Sequence, residues 1–97
     1  MKIRILDRAE RDLEDGVRFY EQQSAGLGGY FFQSVADDIG SLTRLGGIHR
    51  RVHGHHQLLC RTFPYAVYYE VDGDVVSVNA VVDCRRNPGW IRRHLAH

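Results

Sequence analysis

At 97 residues the chain is expected to form one domain, residues 1–97, with room for one modest core. Hydrophobic residues make up 43% and charged residues 26%, which excludes a disordered tail. The formal net charge of +1 gives no whole-molecule argument for nucleic acid. The distribution is more telling: acidic residues such as Asp12, Glu14, Asp37 and Asp38 fall in the first half, and Arg61, Arg85, Arg86, Arg92 and Arg93 in the second. Such asymmetry can build a basic face on a nearly neutral protein. Cys60 and Cys84 lack CxxC spacing, and MKIRILDRAE has no apolar signal core. No run is long enough to span a bilayer, so a cytoplasmic protein with reduced thiols and no membrane contact is expected.

Lys2 to Leu6 alternates polar and apolar and predicts a short strand. Asp7 offers an N-cap, with Glu10 at capping-box spacing. Ala9, Leu13, Val17 and Tyr20 then recur at helical intervals, predicting a helix that ends near Gln23 or Ser24. Gly26, Gly28 and Gly29 punctuate the chain, and Phe31, Val35, Ile39 and Leu42 mark a second helix with Asp37 and Asp38 mostly off its apolar side. Gly46-Gly47 stops it. Together the two helices predict an antiparallel hairpin.

Strands follow at Gln57–Thr62, Tyr65–Val71 and Val75–Val82. Asp72-Gly73 predicts a two-residue turn that pairs Tyr69 with Val76, Val67 with Val78 and Tyr65 with Ala80 on an apolar face. The opposite face would carry Tyr68, Ser77 and Asn79, and then Asp83 and Arg85 if no bulge intervenes. One face would therefore serve structure and the other function. Cys84 continues the inward alternation and is expected to be a buried, inert thiol, as is Cys60. Pro88 opens a short last helix through Trp90, Ile91 and Leu95.

His49, His53, His55 and His56 lie close together, but neighbouring residues of a strand point to opposite faces, and no carboxylate or cysteine stands at ligand spacing. No metal and no cofactor are expected.

The order β-α-α-β-β-β-α, with an antiparallel meander and a helical hairpin on one face, is an α+β arrangement that resembles the RelE/ParE superfamily of type II toxin–antitoxin toxins. The resemblance rests on KIRILDRAERDLEDGVRFYE at the start and FPYAVYYEVDGDVVSVNAVVDCRRNP towards the end. It implies a small plasmid-stabilisation type toxin neutralised by a cognate antitoxin, as a homodimer or a toxin–antitoxin heterotetramer. One branch poisons DNA gyrase. Another is a metal-independent mRNA endoribonuclease acting on the ribosome, and a degenerate, non-toxic binding module is a further alternative. The nuclease chemistry needs a base, an acid and cations around a phosphorane. Arg85 matches the family's arginine at the end of the last strand, Arg61 is a looser match, and His94 can stand in as the acid, with Glu70 as base. The departures are plain: Lys2 is the one lysine, and no tyrosine follows Tyr69. Target or antitoxin contacts are expected at Tyr68, Ser77, Asn79, Arg86 and Trp90.

Overall fold

A computed structural model of the chain describes residues 1–96. The chain runs β1 (Lys2–Ile5), α1 (Asp7–Gln23), α2 (Leu27–Gly40), a single turn α3 (Leu42–Leu45), β2 (Arg51–Val52), β3 (His55–Leu59), β4 (Tyr65–Asp72), β5 (Val75–Asp83) and α4 (Pro88–Leu95). The strands form one mixed sheet in the order β1-β5-β4-β3-β2, with β1 parallel to β5 and the other pairs antiparallel. This is the expected α+β order with two additions, α3 and the small strand β2. No helix among the described residues is long and apolar enough to cross a membrane.

The helical hairpin packs on one sheet face. Ala9, Leu13, Gly16 and Tyr20 make the buried stripe of α1, and Phe31, Val35 and Ile39 that of α2. They meet Tyr65, Val67, Tyr69, Val76, Val78 and Val81 of the sheet. Gly16 sits in the middle of α1 because a Cβ there would lie 2.5 Å from the buried ring of Phe31. Glu21 ties the turn: its carboxylate accepts from the Gly26 and Gly28 amides, at 3.0 Å each for the shorter contacts, and so satisfies donors at the start of α2. The expected capping box at α1 does not form. Leu6 occupies the cap, and Asp7 lies inside the first turn with Glu10, where both complement the helix dipole.

Asp38 also departs from its expected place off the apolar side. It is 4% exposed and accepts from the backbone amide of Arg61 at 3.2 Å and from Arg61 Nε at 3.1 Å. This contact fixes the β3–β4 connection to α2. Burial and the Asp38 carboxylate push the Cys60 thiol up to about 12, so Cys60 is inert, as expected.

The turn between β4 and β5 is Gly73-Asp74, one residue later than the expected loop. Asp72 pairs with Val75, and Gly73 alone of the two central residues takes positive φ, at +61°, the type II′ pattern. Tyr69 therefore faces Val78 rather than Val76. The register then breaks: Tyr68 pairs with Ala80, which leaves Asn79 as the extra residue of a β-bulge. Beyond it the alternation of β5 inverts. Val81 joins the core under the helical hairpin, while Ala80 and Val82 turn to the opposite face with Ala66 and Tyr68. That face, expected to be polar, is apolar and covered by Ile91 and Leu95 of α4. A second turn, His53-Gly54, with φ of +55° and +80°, joins β2 to β3 in the type I′ manner.

The close approach at Gly16 gives a paired prediction. Gly16→Ala overpacks Phe31 and is expected to lower stability by about 1–3 kcal/mol, despite alanine's better helix propensity. Gly29→Ala, at a helical position where a new Cβ meets nothing within 4 Å, is expected to gain up to about 1 kcal/mol. Urea unfolding of the two variants beside the wild type measures both signs.

Candidate functional site

A groove of about 400 Å³ opens where α1, the end of β5 and α4 converge. Tyr65, Val81 and Val82 line it from the sheet, Phe19 from α1, and Trp90 and His94 from α4. Its central group is Asp12, which sequence reading did not single out. The Asp12 carboxylate contacts His94 Nε2 at 2.9 and 3.0 Å and accepts the Val81 amide at 3.0 Å. One residue of α1 thus ties the bulged strand to the last helix.

The reason is local. β1 pairs with β5 only as far as Ile5 opposite Val78, after which the chain turns into α1. The β5 edge beyond Val78 would be left unpartnered there, and Asp12 supplies the acceptor that Val81 needs. A further stack holds α4. The Trp90 ring lies on His94 at 4.7 Å and 13°, and the Arg86 guanidinium sits 4.2 Å above Trp90. Asn87 caps α4, its side chain accepting from Gly89 at 2.7 Å and Trp90 at 3.2 Å, with Pro88 in the first turn as the sequence implies.

Arg85 does not emerge on the face expected for it. After the bulge Asp83 and Arg85 come out beside Tyr65 and Tyr20 on the helical-hairpin side. Asp83 grips Arg85 with both oxygens, at 2.9 Å to Nε and 2.8 Å to Nη2, and also accepts the Arg85 amide at 2.9 Å. The bidentate contact holds the Asp83 carboxyl below the usual carboxylate range and the guanidinium even more firmly charged. Tyr65 is pushed up to about 12, first by burial and then by the nearby Tyr20 and Asp83.

The remaining sequence candidates separate. Arg86, Trp90 and His94 meet in this groove. Arg61 does not: its guanidinium belongs to a different groove, with Asp38, Arg44 and His49. Glu70 is paired with Arg51 at 3.0 Å near the β4–β5 turn, so it is not joined to His94. Tyr68 is 2% exposed beneath α4 and hydrogen-bonds Gln57 at 3.0 Å, so it offers no surface for a partner. Ser77 lies opposite Glu70, and Asn79 lines a small hollow with Asp7, Arg8 and Leu95. Cys84 is exposed rather than buried, because β5 ends at Asp83 and Cys84 already belongs to the turn that leads to α4. Its thiol is nevertheless raised, through partial burial of the sulfur and then Asp83, so it is not an activated nucleophile. Among the described residues no three His, Cys, Asp or Glu side chains gather as metal ligands.

A second groove, of about 560 Å³, runs along the outer side of the helical hairpin. It is apolar along Leu13, Val17, Phe32, Ala36 and Ile39, continues to Ile5 on β1, and has Glu10, Glu14 and the Asp15-paired Arg18 at its rim. Phe32 and Ile5 are half-exposed there.

No family model matches the chain, and no curated protein matches it. Among solved structures, a chain described as "Chromosomal ParDE TA system from P. aeruginosa" matches with a TM-score of 0.74 at 16% identity, over 86% of this chain and 95% of that one. The chain has the RelE/ParE fold. On the RelE/ParE fold of this chain, the arginine at the end of the last strand is present but already bound to its own Asp83.

Asp12 is expected to hold α4 down. Asp12→Ala leaves the Val81 amide and the His94 ring without an acceptor and should cost about 2–3 kcal/mol. In a double-mutant cycle with His94→Ala, the two losses should fall short of additivity, because the second change removes a contact that the first has already broken. Additive losses would mean that the two side chains contribute independently.

Proposed function

We propose that this chain is the toxin component of a type II toxin–antitoxin pair. In this reading it stops growth by binding a cellular target such as DNA gyrase, and a cognate antitoxin neutralises it. The observation that carries the reading is the whole-chain likeness in fold to a component of a ParDE system. Two features of the geometry support binding over catalysis. The guanidinium that RNA cleavage would require is neutralised by Asp83 in a bidentate pair. Tyr65, which lines the groove, holds its proton up to about 12.

The antitoxin's natural seat in this reading is the apolar groove along α1 and α2. The groove is an unfilled trough between two helices, the setting in which an amphipathic helix lays down its apolar side. Glu10 and Glu14 at the rim suit basic residues flanking that side. Trp90 on the last helix and Arg86 in the turn before it then remain available for the target.

One observation favours a second reading, an mRNA endoribonuclease. Asp12 and His94 form an acid–base pair in the same groove as Arg86. A histidine oriented by a carboxylate can move a proton, and an arginine beside it can hold a phosphate.

Growth after induction of the chain alone, and with the small gene encoded beside it, tests the reading. Growth arrest relieved by the neighbour is expected. Phe32→Asp should leave the arrest in place and abolish relief, because Phe32 lines the groove without belonging to the buried core. Relief that survives Phe32→Asp moves the antitoxin to another surface. A folded wild type that does not slow growth overturns the toxin reading in that host. In arrested cells, DNA breaks with intact mRNA support gyrase, and cleaved mRNA that is protected in His94→Ala supports the nuclease.

A further inference from the structure

At the sheet edge opposite β1, two of the histidines that the sequence places between residues 49 and 56, His49 and His56, flank a buried phenol. Tyr69 has no solvent exposure. Its oxygen accepts the Gly47 amide at 3.0 Å, and its other polar neighbour is His49 Nδ1 at 2.5 Å. A buried hydroxyl needs an acceptor for its own hydrogen, and that acceptor is His49 Nδ1. This requires a neutral His49 with its proton on Nε2. His56 is fixed in the opposite sense. Its Nδ1 lies 2.6 Å from the His49 carbonyl, so it carries the hydrogen and donates it. The His56 ring stacks on Tyr69 at 5.1 Å and 24°, and the His49 ring stands on edge to it at 5.6 Å. The hydrogen bonds are thus determined residue by residue, and they close around the segment that leads from α3 into β2.

We propose that Tyr69, His49 and His56 form a proton-sensitive clasp on the β2–β3 edge, closed while His49 is neutral and opened when that ring takes up a second proton. Protonation turns His49 Nδ1 into a donor. Two donors, Gly47 and His49, then point at one phenol oxygen, and the phenol hydrogen is stranded in the core. The charged groups around His49 are mixed. Arg44 and Arg61 share its groove with Asp37 and Asp38, His56 faces it from β3, and Arg50 follows it in the chain. Arg51 beyond is engaged by Glu70. Burial first and His56 second hold His49 below its ordinary value of 6.5. The sign follows from linkage. The open segment binds the proton more readily than the closed one, so closure is fully favoured above about pH 6.5 and weakens as pH falls through that value towards the lower one of the closed form. The unit that opens is local, β2–β3 with residues 46–50, while the core under the helical hairpin stays closed.

Amide hydrogen exchange followed by NMR from pH 7.5 to 5, corrected for intrinsic rates, tests the clasp. The wild type should lose protection at Gly47 and Gln57 by up to roughly tenfold per pH unit below about 6.5, while Val67 and Val78 hold theirs. Tyr69→Phe removes the stranded hydroxyl and should weaken the pH dependence at Gln57, and His49→Gln offers an amide oxygen that does not titrate and should abolish it. His56→Gln should keep it. A nitrogen spectrum of the imidazoles at pH 7.5 gives a reading that needs no variant, with His49 Nδ1 expected to be unprotonated. Protection that does not change with pH, a dependence that persists in His49→Gln, or a proton on His49 Nδ1 would each overturn the proposal.

Discussion

The bulge at Asn79 is the constraint from which the rest of the architecture follows. An extra residue in β5 inverts the alternation of everything after it. Without it, Val76, Val78, Ala80 and Val82 would all lie under the helical hairpin, and the opposite face would be polar and bare. With it, Ala80 and Val82 turn over and make a second apolar surface with Ala66 and Tyr68. That surface needs cover, and α4 provides it through Ile91 and Leu95. The same stretch of β5 has passed beyond its partner β1, so Val81 needs an acceptor, and Asp12 supplies one. Asp12 then has carboxylate capacity left for His94. One inserted residue therefore leads to the second core, to the last helix and to the contact that ties that helix to the first.

The helical hairpin depends on a different economy of space. Gly16 lets α2 approach until Phe31 touches the backbone of α1, and Gly28 lies so close to α1 that a Cβ would be 2.7 Å from the Val17 carbonyl. The aromatic cluster forms in the room this leaves: Phe31 stacks on Tyr20 at 5.0 Å, and Phe63 meets both from the loop before β4. Burying a ring of this kind contributes roughly 2–3 kcal/mol. The outer side of the same hairpin is not closed over, which leaves the apolar trough from Leu13 to Ile39. Tight packing within and an unfilled groove outside come from the same pair of helices.

Much of this was legible in the residues. The 3.6 spacing of Ala9, Leu13 and Tyr20, and of Phe31, Val35 and Ile39, identifies the buried stripes, and Asn87-Pro88 marks the start of α4. The bulge was not, because period-2 reasoning assumes an unbroken ladder. Its trace is present all the same. Tyr65 to Tyr69 and Ala80 to Val82 are unbroken apolar runs, and such runs belong to strands buried on both faces. The β2–β3 hairpin was missed because its turn is His53-Gly54 rather than the Asn-Gly or Asp-Gly pair that marks a type I′ turn in sequence. Asp12 and Asp38 read as ordinary charges on polar helix faces. Only the three-dimensional approach of residues 81 and 94, or of residue 61, makes them anchors.

A fold does not fix the chemistry at its sites, so the end of β5 has to be judged by its own contacts. An arginine at the end of β5 is useful to a phosphate only if its hydrogens are free. Here three donors of Arg85, two on the guanidinium and the backbone amide, already converge on Asp83, two residues earlier in the chain. A ligand phosphate would have to displace a carboxylate that is held by geometry and by sequence proximity, and effective concentration favours the carboxylate. The neighbouring groups are also engaged: His94 contacts Asp12, and Arg86 lies on the face of Trp90. With the Arg85 guanidinium taken by Asp83, Arg86 is the arginine left to this groove for an anionic substrate. The groove still presents Phe19, Trp90 and an adjoining rim of paired charges, half-exposed and held in place. Such a surface is suited to recognising another protein through shape and aromatic contact. That is why the binding form of the toxin reading fits this molecule better than the catalytic one.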